Sequence, residues 1–147
     1  MPAILTLPIK PVHPDLRPWN IFFDEATGAL TGITGWNQVV NGPFGSNFYF
    51  LEFIAADIRP YQGLTRYSDY DHLQEAFWNT FREGLVGFPD HWIDIIKMAR
   101  VTGLLLDAGF TRLRNSNEPT VARDDGSAPW SMLLLDALLL NPATWLR

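Results

Sequence analysis

The chain has 147 residues, of which 47% are hydrophobic and 14% aromatic, so it can form a packed core and is not disordered throughout. A net charge of -5 gives no electrostatic basis for binding nucleic acid or an anionic membrane. The absence of cysteine excludes disulfides and thiolate sites. The apolar run Met132–Leu140 is too short to span a bilayer, and the prolines of residues 1–12 argue against a signal peptide. We therefore expect one domain over residues 1–147 in a soluble, cytoplasmic protein.

Residues 21–34 predict a β-hairpin. Ile21–Phe23 has the composition of a short strand, Asp24–Gly28 supplies turn residues, and Leu30–Thr34 is the returning strand. Gly42–Gly45 then predicts a turn or loop.

Two helices are predicted in the middle of the chain. Phe48–Ile58 is the first, and Pro60 ends it. The second has stronger support, because Ser68 or Asp69 can cap it and an apolar residue recurs at every fourth position. That apolar stripe consists of Leu73, Phe77, Phe81 and Leu85.

Two more helices are predicted in the last third. Asp90 can cap a helix that ends before Gly109 and carries Trp92, Ile96 and Ala99 on one face. The polar stretch Arg114–Ala128 predicts a loop. Pro129 suits the first turn of a final helix, which stops at Asn141. The predicted fold is therefore α+β and mostly α, with a hairpin followed by about four helices.

The segment His13–Asn20 fits the pattern His-x-Asp-x-x-x-x-Asn, which is the catalytic-loop signature of kinases. Phosphoryl transfer needs a carboxylate near the attacking hydroxyl and an oxygen ligand for the metal that neutralises the phosphates. A loop with Asp15 at one end and Asn20 five positions later can place both groups around one centre.

The stretch from His13 to Asn47 resembles the aminoglycoside phosphotransferase and choline kinase-like superfamily, particularly its fungal members. Their typical motifs are His-Gly-Asp-Leu-x-Pro-x-Asn-Ile, then Thr-Gly-Ile-Ile-Asp-Trp-Glu, then Gly-Pro. The counterparts here are His13–Ile21, Thr31–Asn37 and Gly42–Pro43, and Phe77–Glu83 and Leu135–Leu139 are similar to the family's helical tail. The resemblance implies one partial, protein-kinase-like large-lobe domain. It also implies ATP- and Mg²⁺-dependent phosphoryl transfer to a small-molecule hydroxyl.

The resemblance also implies roles for four residues. Asp15 would be the catalytic carboxylate that orients the substrate hydroxyl and accepts its proton. Asn20 would bind Mg²⁺ and thereby the nucleotide through its side-chain oxygen. His13 would brace the loop, and Arg17 would lie near the transferred phosphate.

Several departures from the family pattern predict weak or lost activity. Gly35 stands where the family has its second metal-binding residue, an aspartate, and glycine has no ligand to offer. Asn37 replaces the usual glutamate and offers an amide oxygen, while Pro14 replaces a glycine in the loop. Only 12 residues precede His13, and no glycine-rich phosphate loop is found, so we expect the small lobe that covers ATP to be missing.

Three alternatives stay open at this stage. The chain could be an active enzyme whose small lobe comes from another chain. It could be a non-catalytic binding module whose groove holds a small molecule or a protein, with a protein partner covering the missing-lobe face. It could also come from an incomplete gene model or a decaying gene. The simpler interpretation of Asp15 and Asn20 is a solvated turn. For the many Trp and Phe residues it is core packing, and for His72 and His91 it is exposure rather than metal binding.

Overall fold

The structure, a computed structural model, describes residues 3–60, 62–112 and 119–146. These residues form a mixed fold of small antiparallel sheets and four α-helices, which confirms the α+β prediction. The strands are β1 (Ile9–Val12), β2 (Ile21–Phe23), β3 (Leu30–Ile33), β4 (Val40–Pro43), β5 (Ala56–Arg59), β6 (Gly63–Arg66), β7 (Phe110–Arg112) and β8 (Pro119–Val121). The helices are α1 (Leu51–Ala55), α2 (Tyr70–Gly84), α3 (Trp92–Ala108) and α4 (Pro129–Leu135).

The first two strand pairs determine where the predicted loop lies. β2 and β3 form the predicted hairpin. β1 pairs with β4 in antiparallel register, with Val12 opposite Val40, and thereby brings the two ends of segment 13–39 together. The prediction of a turn over Gly42–Gly45 is wrong in its first half, because Gly42 and Pro43 belong to β4. β1 itself was not predicted, since Pro11 is uncommon in strands and fits here in a sheet of only two strands.

The predicted helix over Phe48–Ile58 is wrong over its last three residues. The segment opens with a 3₁₀ turn at Phe48–Phe50, continues into the short α1, and turns extended at Ala56. From there it forms β5, which pairs with β6. An apolar run without clear periodicity does not distinguish a helix from a strand, and pairing with β6 decides the outcome.

The three later helices are confirmed, with small differences at their ends. Asp69 occupies the N-cap position of α2, although its side chain makes no capping hydrogen bond. α3 begins one residue later than predicted, with His91 rather than Asp90 at the N-cap, and ends at Gly109 as expected. A π-helical turn, Asp136–Leu140, extends α4 up to Asn141. Within the described residues, no helix is both long and apolar enough to cross a bilayer.

The prediction of a loop over Arg114–Ala128 is corrected in part. Pro119–Val121 forms β8 and pairs with β7. Polar composition alone does not indicate this pairing of β7 with β8. Residues 114–118 lie outside the described residues.

Two clusters of buried side chains form the core, one along the C-terminal half of α3 and one along its N-terminal half. The first is centred on Phe50, Leu104, Leu134 and Leu138, each no more than 1% exposed. The second surrounds Ile96 and Ala99 and includes ring contacts of Phe48 with Phe77 and Phe81. The aromatic residues of the α2 stripe therefore pack in the core, as the sequence predicts.

Replacing Gly103 by alanine is expected to destabilise the fold strongly. Gly103 is buried in α3, and an added Cβ would overlap the backbone carbonyl oxygen of Ser46, which cannot move like a side-chain end. Overpacking of this kind costs about 1–3 kcal/mol or more. Urea unfolding monitored by circular dichroism measures the change.

Gly84→Ala is the matched control for that substitution. Gly84 closes α2, and an added Cβ there meets no atom within 4 Å. Alanine at this position is expected to be neutral or to stabilise by up to about 1 kcal/mol. Equal unfolding midpoints for the two variants would contradict the close packing of α3 against Ser46.

Candidate functional site

His13 joins the loop to the segment that follows β3. Its ring is buried, at 2% exposure, and Nε2 lies 2.6 Å from the carbonyl oxygen of Thr34. The backbone N–H of Asp15 donates to Nδ1 at 3.0 Å, so Nδ1 is an acceptor and the ring proton is on Nε2, donated to Thr34. The ring also makes an edge contact with Trp36, at 4.8 Å between centroids. His13 therefore connects the loop to the segment after β3, the kind of contact that the bracing role implied by the resemblance would need.

The carboxylate of Asp15 accepts two hydrogen bonds and forms one ion pair. Oδ2 accepts from the indole N–H of Trp19 at 3.2 Å and from the side-chain amide of Asn20 at 3.1 Å. Oδ1 lies 2.7 Å from Nε of Arg17, a charge contact without hydrogen-bond geometry. The side chain is 44% exposed and keeps unused lone pairs, so Arg17 crowds the carboxylate without closing it off.

The side-chain amide of Asn20 has a defined orientation. Its nitrogen donates to the backbone oxygen of Asp15 at 2.7 Å and to the Asp15 carboxylate. Its oxygen therefore points the other way, towards the Thr34 hydroxyl at 3.5 Å. The backbone N–H of Thr34 donates to the Asn20 carbonyl at 2.9 Å, which fixes the two segments together. An oxygen ligand is thus presented on the side of the loop where residue 35 follows.

Gly35 lies directly beside that amide. A Cβ built on Gly35 would stand 3.4 Å from Cγ of Asn20 and 3.2 Å from the ring of His13. The backbone is left-handed there, with a φ of +89°, which favours glycine. A carboxylate at this position would face Asn20, and glycine provides none.

The residues present do not fit a Mg²⁺ site. Across the described ranges, no group of three or more His, Asp or Glu side chains is placed to hold a metal ion. Asn37, the other predicted oxygen ligand, is exposed in the 3₁₀ turn Trp36–Gln38 that follows Gly35. The oxygen of Asn20 is therefore without the carboxylate that would complete a magnesium centre.

Arg17 does not extend into open space beside the loop. Its side chain is only 15% exposed and is paired with Asp15. Its guanidinium carbon lies 4.4 Å from the ring centroid of Phe53. The guanidinium thus lies beside Asp15, and its predicted nearness to a transferred phosphate stays a prediction.

An open groove of about 400 Å³ adjoins the loop on the side of His13 and Pro14. Tyr49 and Asp107 also line the groove. The sequence gives no signal for these two residues, because they are far from the loop along the chain. The buried Tyr49 hydroxyl is hydrogen-bonded to the exposed carboxylate of Asp107, and burial together with that carboxylate raises the pKa of the phenol well above its usual range. Tyr49 is therefore a permanent donor that orients Asp107 at the rim of the groove.

The remaining histidines lie outside this site. His72 and His91 are both exposed, which confirms their predicted position on the surface. In comparisons with known proteins, no family model matches the chain, and no curated protein or solved structure is significantly similar to it.

Proposed function

We propose that this chain is a kinase-like large lobe of the aminoglycoside phosphotransferase type whose transfer centre has degenerated. ATP-dependent phosphorylation of a small-molecule hydroxyl is then weak or lost. One observation carries the proposal: the loop His13–Asn20 is folded against Gly35. An aspartate at position 35, as in the family pattern, would stand beside the side-chain oxygen of Asn20, and here glycine leaves that oxygen without a carboxylate partner. The hairpin and the helices that follow the loop are in the order that the resemblance implies.

The chemistry of the loop supports reduced activity on two counts. Asn20 offers a single amide oxygen, whereas a magnesium centre in such enzymes uses a carboxylate as well. Asp15 is ion-paired with Arg17 and accepts two hydrogen bonds. The loop therefore offers a cation a single oxygen ligand and offers a hydroxyl a carboxylate that is already partly engaged.

Magnesium-dependent nucleotide binding and turnover by the purified chain test this proposal. We expect ATP hydrolysis and phosphoryl transfer to a panel of amino-alcohol and sugar acceptors to stay at the level of the Asp15→Asn variant. Calorimetric titration with ATP should give the same weak signal with and without Mg²⁺. Robust turnover that Asp15→Asn abolishes would overturn the proposal.

A non-catalytic interaction module is the second candidate, because aromatic side chains are exposed around the loop and hairpin. Trp19, Phe22 and Phe23 are 63%, 51% and 62% exposed, and Leu30 across the hairpin is 62% exposed. Phe23 and Leu30 lie opposite each other in the hairpin, and contiguous exposed apolar groups mark interaction surfaces. A partner that binds equally well with and without Mg²⁺-ATP, and whose binding Phe23→Ser weakens while Asp15→Asn does not, would favour the module over the enzyme.

A further inference from the structure

The guanidinium of Arg17 is enclosed by four aromatic rings. Its central carbon lies 4.4 Å from the ring centroid of Phe53, 5.3 Å from that of Trp19, 5.6 Å from that of Trp130 and 5.8 Å from that of Phe50. A cation within about 6 Å of a ring centroid is attracted by the ring quadrupole, more strongly when water is excluded. We call these four rings the Arg17 cage.

The Arg17 cage is built from three separate parts of the chain. Trp19 belongs to the loop, Phe50 and Phe53 lie at the start of α1, and Trp130 is in the first turn of α4. The rings also contact one another, with 6.3 Å between the centroids of Phe53 and Trp130 and 5.7 Å between those of Phe50 and Phe53. The position of Arg17 therefore depends on the packing of α4 against α1.

The Arg17 cage makes the ion pair with Asp15 different from an ordinary exposed ion pair. An exposed ion pair is weak and exchanges freely with water and salt. Here the arginine partner is held by the rings at 15% exposure, whereas the Asp15 side chain remains 44% exposed. The carboxylate is thus paired with a cation whose position is fixed by the surrounding rings.

We propose that Arg17 acts as a plug: caged by the four rings, its guanidinium stays paired with the Asp15 carboxylate and limits access to it. This inference rests on the proposed function, because it concerns the carboxylate that would accept the hydroxyl proton. The guanidinium competes for Oδ1 with any incoming hydroxyl group.

Carboxylate footprinting with a water-soluble carbodiimide and an amine tests the plug without nucleotide, metal or turnover. The labelling rate of Asp15 is compared with that of the exposed Glu25 in the same digest by mass spectrometry. Arg17→Met keeps an apolar side chain in the cage and removes the charge. We expect labelling of Asp15 relative to Glu25 to rise by at least about fivefold, because a factor of about five is already the upper range for an exposed ion pair and this pair is caged.

Trp130→Leu tests the cage while Arg17 stays in place, and Trp92→Leu is its matched control. Trp92 packs on the other core cluster, against Phe88. We expect Trp130→Leu, but not Trp92→Leu, to raise the labelling of Asp15, with circular dichroism confirming that each variant is folded. Unchanged labelling in both Arg17→Met and Trp130→Leu would overturn the plug. Because neither measurement requires catalysis, an absence of phosphoryl transfer in every variant would leave this result interpretable.

Discussion

Gly35→Asp is expected to create a divalent-cation site and to raise the affinity for Mn²⁺ by at least about tenfold. The new carboxylate would start from a Cβ 3.4 Å from Cγ of Asn20, on the side to which the amide oxygen points. Aspartate is also among the residues that best tolerate the left-handed backbone found at this position. Titration with Mn²⁺, followed by the loss of its free electron paramagnetic resonance signal, measures the affinity.

Gly35→Ala is the control for backbone strain and crowding. It places the same Cβ against the His13 ring and the same strain at a φ of +89°, but brings no oxygen. We expect it to lower the free energy of unfolding by about 1–2 kcal/mol and to gain no Mn²⁺ affinity. Adding Asn20→Ala to Gly35→Asp should remove most of the gain. If Gly35→Asp bound Mn²⁺ no better than Gly35→Ala, residue 35 would not face the amide oxygen as described.

The sequence predicts the elements whose pattern is local. The hairpin over residues 21–34 follows from turn residues between two apolar runs, and α2 follows from its four-residue stripe. The pairs β1–β4 and β5–β6 could not be predicted in the same way. Each strand has only four residues, and in the first pair the partner lies beyond a whole hairpin. The apolar residues of Phe48–Ile58 fit either a helix or a strand, so the sequence predicts one continuous helix where the structure changes to a strand at Ala56.

In the candidate site, too, the sequence predicts the contacts that are local along the chain and not those from distant elements. The nearness of His13, Asp15 and Asn20 follows from their spacing within one loop, and the structure brings Gly35 to the same place. The orientation of Arg17 does not follow, because the rings that hold it come from α1 and α4. A charged side chain that is caged by distant residues leaves no periodic signal in the sequence.

Glu52 is a buried carboxylate in α1 that the sequence does not predict, because its partners come from distant segments. Its side chain is fully buried, Oε1 accepts from the Tyr70 hydroxyl at 2.7 Å, and Oε2 lies 3.4 Å from Nη2 of Arg66. Arg66 in turn donates to the carbonyl oxygens of Thr144 and Trp145 and so ties the end of the chain to this group. Burial raises the pKa of Glu52 and lowers that of Arg100, because each charge is unfavourable away from water.

Glu52→Gln is expected to lower the free energy of unfolding by about 3–5 kcal/mol. Glutamine keeps the shape of the side chain and can still accept a hydrogen bond from Tyr70. The loss of stability therefore measures the negative charge, which compensates Arg66 and the 1% exposed Arg100. Urea unfolding of Glu52→Gln is compared with that of Glu75→Gln, an exposed position on α2 that should change by less than about 0.5 kcal/mol. A near-neutral Glu52→Gln would mean that Glu52 is held in the neutral, protonated form. In that case the two arginines would draw their compensation from elsewhere, and the hydrogen bonds to Thr144 and Trp145 would be what holds Arg66 in place.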